Sequence, residues 1–190
     1  MTTTESATTL GYSRSLRSLY FVRFAFAIIW VGVMVAVALS VAQPSIALTA
    51  FLIIYPLFDA GAVLWQLRAN PDHQRSRVSE VASIGVSVAV AIAIGIASSF
   101  SLSAALAVWG AWAIVAGIPQ LITAIRNRRS GGQVPQMLSG GISVFAGAAF
   151  LFQGLQGSTA IVGVAGYAAV GAIFFLVSAI RLSVKLRHDA

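Results

Sequence analysis

Residues 19–67 read LYFVRFAFAIIWVGVMVAVALSVAQPSIALTAFLIIYPLFDAGAVLWQL, and within this run only Arg23 and Asp59 carry a charge. Two apolar tracts, 19–42 and 45–67, flank the pair Gln43-Pro44. Each reaches the roughly 20 residues that a helix needs to cross a hydrocarbon core of about 30 Å. Neither alternates polar with apolar positions as a barrel strand does, and backbone facing lipid must satisfy its own hydrogen bonds. The run therefore predicts two membrane-crossing helices joined by a turn of two residues.

Working outward, similar tracts occupy 81–97, 101–125, 137–155 and 158–180, so six spans use nearly all of the 190 residues. Composition agrees, with 58% hydrophobic residues, 9% charged residues and a mean hydropathy of +0.90. A soluble domain carries about a quarter charged residues. The expected fold class is an all-α membrane protein. The chain has no cysteine, which excludes disulfides, thiolate metal sites and cysteine nucleophiles. Its two histidines, His73 and His188, are too few for a typical zinc site without carboxylate help. No metal and no cofactor is expected.

The net charge of +7 is laid out on one side. The short connections 43–44, 98–100 and 156–157 hold no charge, whereas Arg14 and Arg17, Arg68, Arg75 and Arg77, Arg126, Arg128 and Arg129, and Arg181, Lys185 and Arg187 flank the other ends of the spans. By the positive-inside rule both termini are expected to be cytoplasmic. Residues 1–18, rich in Thr and Ser, read as a disordered cytosolic tail, and 181–190 as a basic one. Small residues at Ser40-Val41-Ala42 suit a signal peptidase, but the apolar stretch before them is longer than a normal signal core, so the segment is expected to stay attached.

The basic junctions need no partner beyond the bilayer. Arg126, Arg128 and Arg129 are candidate contacts for anionic headgroups, worth about 1 kcal/mol for each basic residue near the surface. Nucleic-acid binding would need a folded basic domain, and no loop is long enough. Homo-oligomers and other membrane proteins remain open as partners.

Three helical hairpins, 19–67, 81–125 and 137–180, repeat with a period of about 55 to 58 residues. The even spans carry the trace: Tyr55-Pro56-Leu57-Phe58-Asp59-Ala60-Gly61 before Arg68, Trp112 to Gly117 before Arg126, and Tyr167 to Gly171 before Arg181. All three hairpins share one orientation, which predicts parallel repeats about the membrane normal, unlike the inverted repeats of many secondary transporters. Small residues at Gly85, Ala89, Ala93 and Ala97 form a candidate packing ridge on the third span, a theme that Ala113 with Gly117 and Ser143 with Gly147 repeat.

With its three hairpins, the Tyr55, Asp59 and Gly61 pattern and Arg23 early in the first span, the chain resembles the HdeD-like acid-resistance membrane proteins over about residues 19–185. The resemblance implies a bacterial inner-membrane location and a link to acid stress, and it brings no catalytic residue with it. Two departures stand out. Ala60 separates Asp59 from Gly61, and Ala116 and Gly171 occupy positions where the later repeats could have held an acid.

A charge at a helix centre costs about 2.5 to 3.5 kcal/mol on insertion scales, so Arg23 and Asp59 each need a partner or a purpose. Arg23 has two readings, snorkelling to the cytoplasmic headgroups or pairing with Asp59. Asp59 likewise reads as a buried acid that fixes the fold or as a proton site. Pro56 and Pro119 each remove a backbone donor and are candidate kinks. Glu80 is expected in the first turn of the third helix, where an acid suits the dipole.

Three functional classes follow. The first, preferred on these residues, is a non-enzymatic membrane protein with a structural or interaction role, in acid or envelope stress tolerance. The second is a channel or transporter for protons or a small solute, using Asp59 and Arg23. The third, an enzyme, lacks every familiar catalytic pattern, since there is no HExxH motif, no phosphate-cradling glycine loop and no paired acids.

Overall fold

The computed structural model describes residues 3–40, 45–69, 74–126 and 134–188. They form six helices, α1 (Thr3–Ser40), α2 (Ile46–Ala69), α3 (Gln74–Phe100), α4 (Leu102–Arg126), α5 (Val134–Leu155) and α6 (Val162–His188). All six contain a stretch long and apolar enough to cross a membrane. The flanks of the bundle are apolar too, with Phe145 and Phe152 of α5 and Ile92 of α3 more than half exposed. Such a surface is suited to lipid, and the fold is that of a multi-pass membrane protein.

Several boundaries differ from the sequence expectation. The tail at 1–18 was expected to be disordered, yet α1 is helical from Thr3. No proline interrupts residues 3–18, and adding turns to an existing helix costs far less than starting one. The Ser98-Ser99-Phe100 turn is the end of α3, and Ser101 alone separates α3 from α4. Glu80 lies well inside α3, which begins at Gln74, and so is not a first-turn acid. The turn at Gln43-Pro44, His73, Arg128 and Arg129 lie outside the described residues.

Local chemistry sets the turns. Ser45 and Ser101, each just before an even-numbered helix, accept hydrogen bonds from Leu48 N (3.1 Å) and Ala104 N (3.0 Å), the bond of an N-cap to an otherwise unpaired amide. At the end of α5, Gly157 takes a φ of +81°, Gly157 N donates to Gly154 O (3.0 Å) and Ser158 N to Gln153 O (2.9 Å). These bonds make a Schellman cap, whose left-handed residue is normally glycine.

The helices follow one another around a ring, each against its neighbours in the chain, and α6 closes the ring against α1. The closest appositions are α4 with α5, α1 with α6, and α2 with α3; the hairpin partners α1–α2, α3–α4 and α5–α6 lie less closely, and α5–α6 least of all.

Glycine explains the closest pair. Gly110 and Gly117 of α4 and Gly140, Gly147 and Gly154 of α5 recur at intervals of seven residues, which keeps them on one seam of a gently supercoiled pair. A methyl group at Gly147 would sit 2.7 Å from Gly110 O, and one at Gly117 would sit 2.8 Å from Ser143 Cβ, so the backbones approach as only glycine permits. The expected ridge on α3 holds only at its far end: Gly85 and Ala89 are exposed, Ala93 is half-buried and Ala97 is buried, and α3 packs mainly through Ser87, Ala91, Ile94 and Ser98. A strict four-residue spacing turns by about 40° at each step, whereas this mixed spacing of four and three stays on one face.

Candidate functional site

The bundle is divided across its middle. In the half away from the basic termini, Met34, Leu48, Leu52, Ile94, Leu106 and Val164 are completely buried. At mid-height lies a layer of rings, in which Trp30 is T-shaped on Tyr55 (centroids 4.8 Å apart), Trp109 is T-shaped on Trp112 (4.9 Å), and Trp30 stacks on Trp109 (6.0 Å). Phe150 and Tyr167 extend the layer to α5 and α6 (6.2 Å). The Trp30 indole N–H donates to Phe51 O over 2.7 Å, which fixes its ring against α2 one turn before Pro56.

Toward the basic end the helices surround a cavity of about 580 Å³ to which all six contribute. The three repeat aromatics, Tyr55, Trp112 and Tyr167, line it together, and so do Asp59, Ala116 and Gly171, one turn further along each even helix. The chain therefore places one acid where three equivalent positions face a common space. Gln66, Gln120, Ser178 and Arg181 line its wider part.

Arg23 and Asp59 meet in this cavity. Arg23 Nη1 lies 3.3 Å from Asp59 Oδ1, with side-chain exposures of 14% and 28%. Ser87 Oγ of α3 donates to Asp59 Oδ2 at 3.2 Å, so this carboxylate ties α1, α2 and α3 together. The Arg23 guanidinium also lies 5.2 Å from the centre of the Phe175 ring, a cation–π contact to α6. Arg23 Nε is buried without a hydrogen-bond partner. Opposite, Ser143 Oγ donates to Ser139 O (2.9 Å), which leaves Tyr167 OH to donate to Ser143 Oγ (2.9 Å).

The remaining candidates stand apart from the cavity. Pro56 is buried within α2 and Pro119 is exposed on α4, and both helices continue through them. Arg126 is exposed in the last turn of α4. Glu80 Oε1 accepts from Gln66 Nε2 at 3.4 Å. Among the described residues no group of three His, Cys, Asp or Glu side chains converges as a metal site would require.

Sequence reasoning found Arg23, Asp59 and the three repeat aromatics, but it missed Gln66, Gln120 and Arg181 as cavity residues and Ser87 as the buried partner of Asp59. A helical projection from Asp59 and Tyr167 would have found Gln66 and Arg181, at whole-turn intervals of seven and fourteen residues. Ser87 belongs to a helix whose rotation nothing in its own sequence reveals.

A six-helix, multi-pass membrane protein with a polar cavity toward its basic end is thus the class that fold and site define. A family described as "Short repeat of unknown function (DUF308)" matches residues 81–152, less than half of the chain, which covers most of α3, all of α4 and most of α5. HdeD belongs to that same repeat family. No curated protein and no solved structure gives a significant match.

Proposed function

We propose that this chain is a non-enzymatic inner-membrane protein whose working part is a binding chamber closed on the side away from the cytoplasm, and that it contributes to acid or envelope stress tolerance. The observation that carries this reading is the aromatic layer. The polar cavity around Arg23 and Asp59 reaches Tyr55 and Trp112 of that layer, and Trp30 and Trp109 pack behind them with a core that is mostly hydrocarbon. A conducting path needs polar groups along its length, and among the buried described side chains of that half only Ser98 is polar.

The cytoplasmic orientation rests on the basic residues at one end, and the stress context on the resemblance to HdeD-like proteins. A parallel arrangement of three hairpins is supported by the convergence of Tyr55, Trp112 and Tyr167 on one space and by the serines that start α2 and α4. A non-enzymatic role fits a chamber whose single acid is already bound by Arg23 and Ser87.

Transport of protons or a small solute is the second reading, and the Arg23–Asp59 pair in an accessible cavity is what favours it. Two measurements separate the two. Purified protein in liposomes is tested for proton leak, and a deletion strain for survival at low pH. The binding reading expects lost survival and no leak above protein-free vesicles. A leak abolished by Asp59→Asn would establish the transport reading in its place.

A further inference from the structure

We propose that the chamber holds a single-chain anionic amphiphile, its head on Arg23 and Arg181 and its chain against the aromatic layer. This deepens the one-sided binding chamber proposed above and rests on it.

Charge selects the head. The charged residues that line the cavity are Arg23, Arg181 and Asp59, an excess of one positive charge. Both Asp59 oxygens are engaged, Oδ1 by Arg23 and Oδ2 by Ser87, so little acceptor capacity is left for a cationic guest. The donors are less committed. Arg181 makes no ion pair among the described residues, and Arg23, whose side chain is 14% exposed, meets Asp59 through Nη1. Guanidinium groups with spare N–H donors suit a carboxylate or a phosphate.

The gradient along the cavity selects the tail. On α6 the lining runs from Tyr167 through Gly171 and Phe175 to Ser178 and Arg181, about 21 Å at the helical rise. Deep walls are aromatic, with Phe26 stacked on Phe58 (3.6 Å), and a wholly polar guest would lose hydration there without compensation. The volume of about 580 Å³ lies within the range of ligand sites. Entry has a route as well, because α5 and α6 are the least closely apposed neighbours of the ring and both line the cavity. An amphiphile already in the bilayer could pass between them sideways.

Gly171 supplies the test. It lines the cavity, and a Cβ built there would meet nothing within 4 Å, so a larger side chain fills the chamber without pushing helices apart. The full-length protein in phosphatidylcholine nanodiscs is titrated with octadecyl probes that bear a nitroxide near the chain end and carry a carboxylate, a phosphate monoester or a trimethylammonium head. Quenching of tryptophan emission is the readout. The anionic probes are expected to give saturable quenching, with the trimethylammonium probe and the Arg181→Gln variant each about tenfold weaker, as loss of a charged hydrogen bond implies. Gly171→Phe should remove saturation while leaving the thermal transition in place.

Preference for the carboxylate would identify free fatty acids as the source, and preference for the phosphate would identify lysophospholipids; either supports the proposal. Equal or tighter binding of the trimethylammonium probe, or saturation that survives Gly171→Phe, would overturn it. If no probe saturates while Gly171→Cys is alkylated by a small water-soluble thiol reagent, the chamber stands and the amphiphile falls. If the variant is not alkylated either, the chamber itself is wrong.

Discussion

Ser87 and Asp59 meet across the contact of α3 with α2, where a hydroxyl that is 2% exposed donates to Oδ2 over 3.2 Å while Oδ1 faces Arg23. The carboxylate is a junction of three helices. Removing one partner of a mostly buried pair strands the other, whereas removing both does not. Asp59→Leu is therefore expected to destabilise the fold by about 3 kcal/mol and Ser87→Ala by about 1 kcal/mol. The double variant Arg23→Leu with Asp59→Leu should recover most of the loss. Unfolding in mixed micelles measures these variants together with Arg23→Leu alone, and a double variant as unstable as the sum of its two singles would show that the pair has no coupling.

The glycine seam between α4 and α5 makes a second prediction. Since a methyl group at Gly147 would lie 2.7 Å from Gly110 O and 2.9 Å from Ile114 N, Gly147→Ala forces the backbones apart and should cost about 1 to 3 kcal/mol. Gly85 is exposed, and a Cβ there would meet nothing, so Gly85→Ala should be neutral or stabilising by up to about 1 kcal/mol. Thermal melts of the two variants side by side give the comparison.

Orientation can be measured directly because the natural chain has no cysteine. Gln156, between α5 and α6, and Lys185, near the end of α6, are both exposed and lie at opposite ends of the bundle. An impermeant thiol reagent added to intact cells should label Gln156→Cys and spare Lys185→Cys. Inside-out vesicles should give the reverse.

The aromatic layer should act as the seal of the chamber. Trp109 is completely buried within it, and truncation to alanine leaves a void in line with the cavity. Trp109→Ala is expected to lose about 3 to 5 kcal/mol of stability and, where it remains folded, to raise proton flux in liposomes above the parent. Trp65→Ala serves as the control, since Trp65 is 42% exposed and donates to Ser15 Oγ (3.2 Å) away from the aromatic layer. Equal flux in both variants would mean that the seal lies elsewhere.

Much of this architecture was legible in the residues. The six spans follow from tract length and charge alone, and the tracts that begin at Ser45 and Ser101 match helices that begin one residue later. Tyr55, Trp112 and Tyr167 could be matched by spacing, and they do face one space. Which helix faces lie against which was not legible. In lipid the outward face of a helix is as apolar as the inward one, so the hydrophobic asymmetry that reveals a core in water is missing. Spacing by four along Gly85, Ala89, Ala93 and Ala97 therefore cannot tell a packed face from a lipid face, and of these residues Ala97 is buried while Gly85 and Ala89 are exposed. The signal that did exist lay in the seven-residue spacing of glycines on α4 and α5, and it describes a pair that belongs to no single hairpin.

The contact of α6 with α1 has its own consequence. Because the last helix lies against the first, and both run to the basic end, the polypeptide makes a closed hoop with no exposed seam at its termini. A gene rearranged so that translation starts at α3, with the old ends spliced by a short linker, would keep every helix beside its present neighbours. For such a topology a circularly permuted chain should assemble into the same bundle.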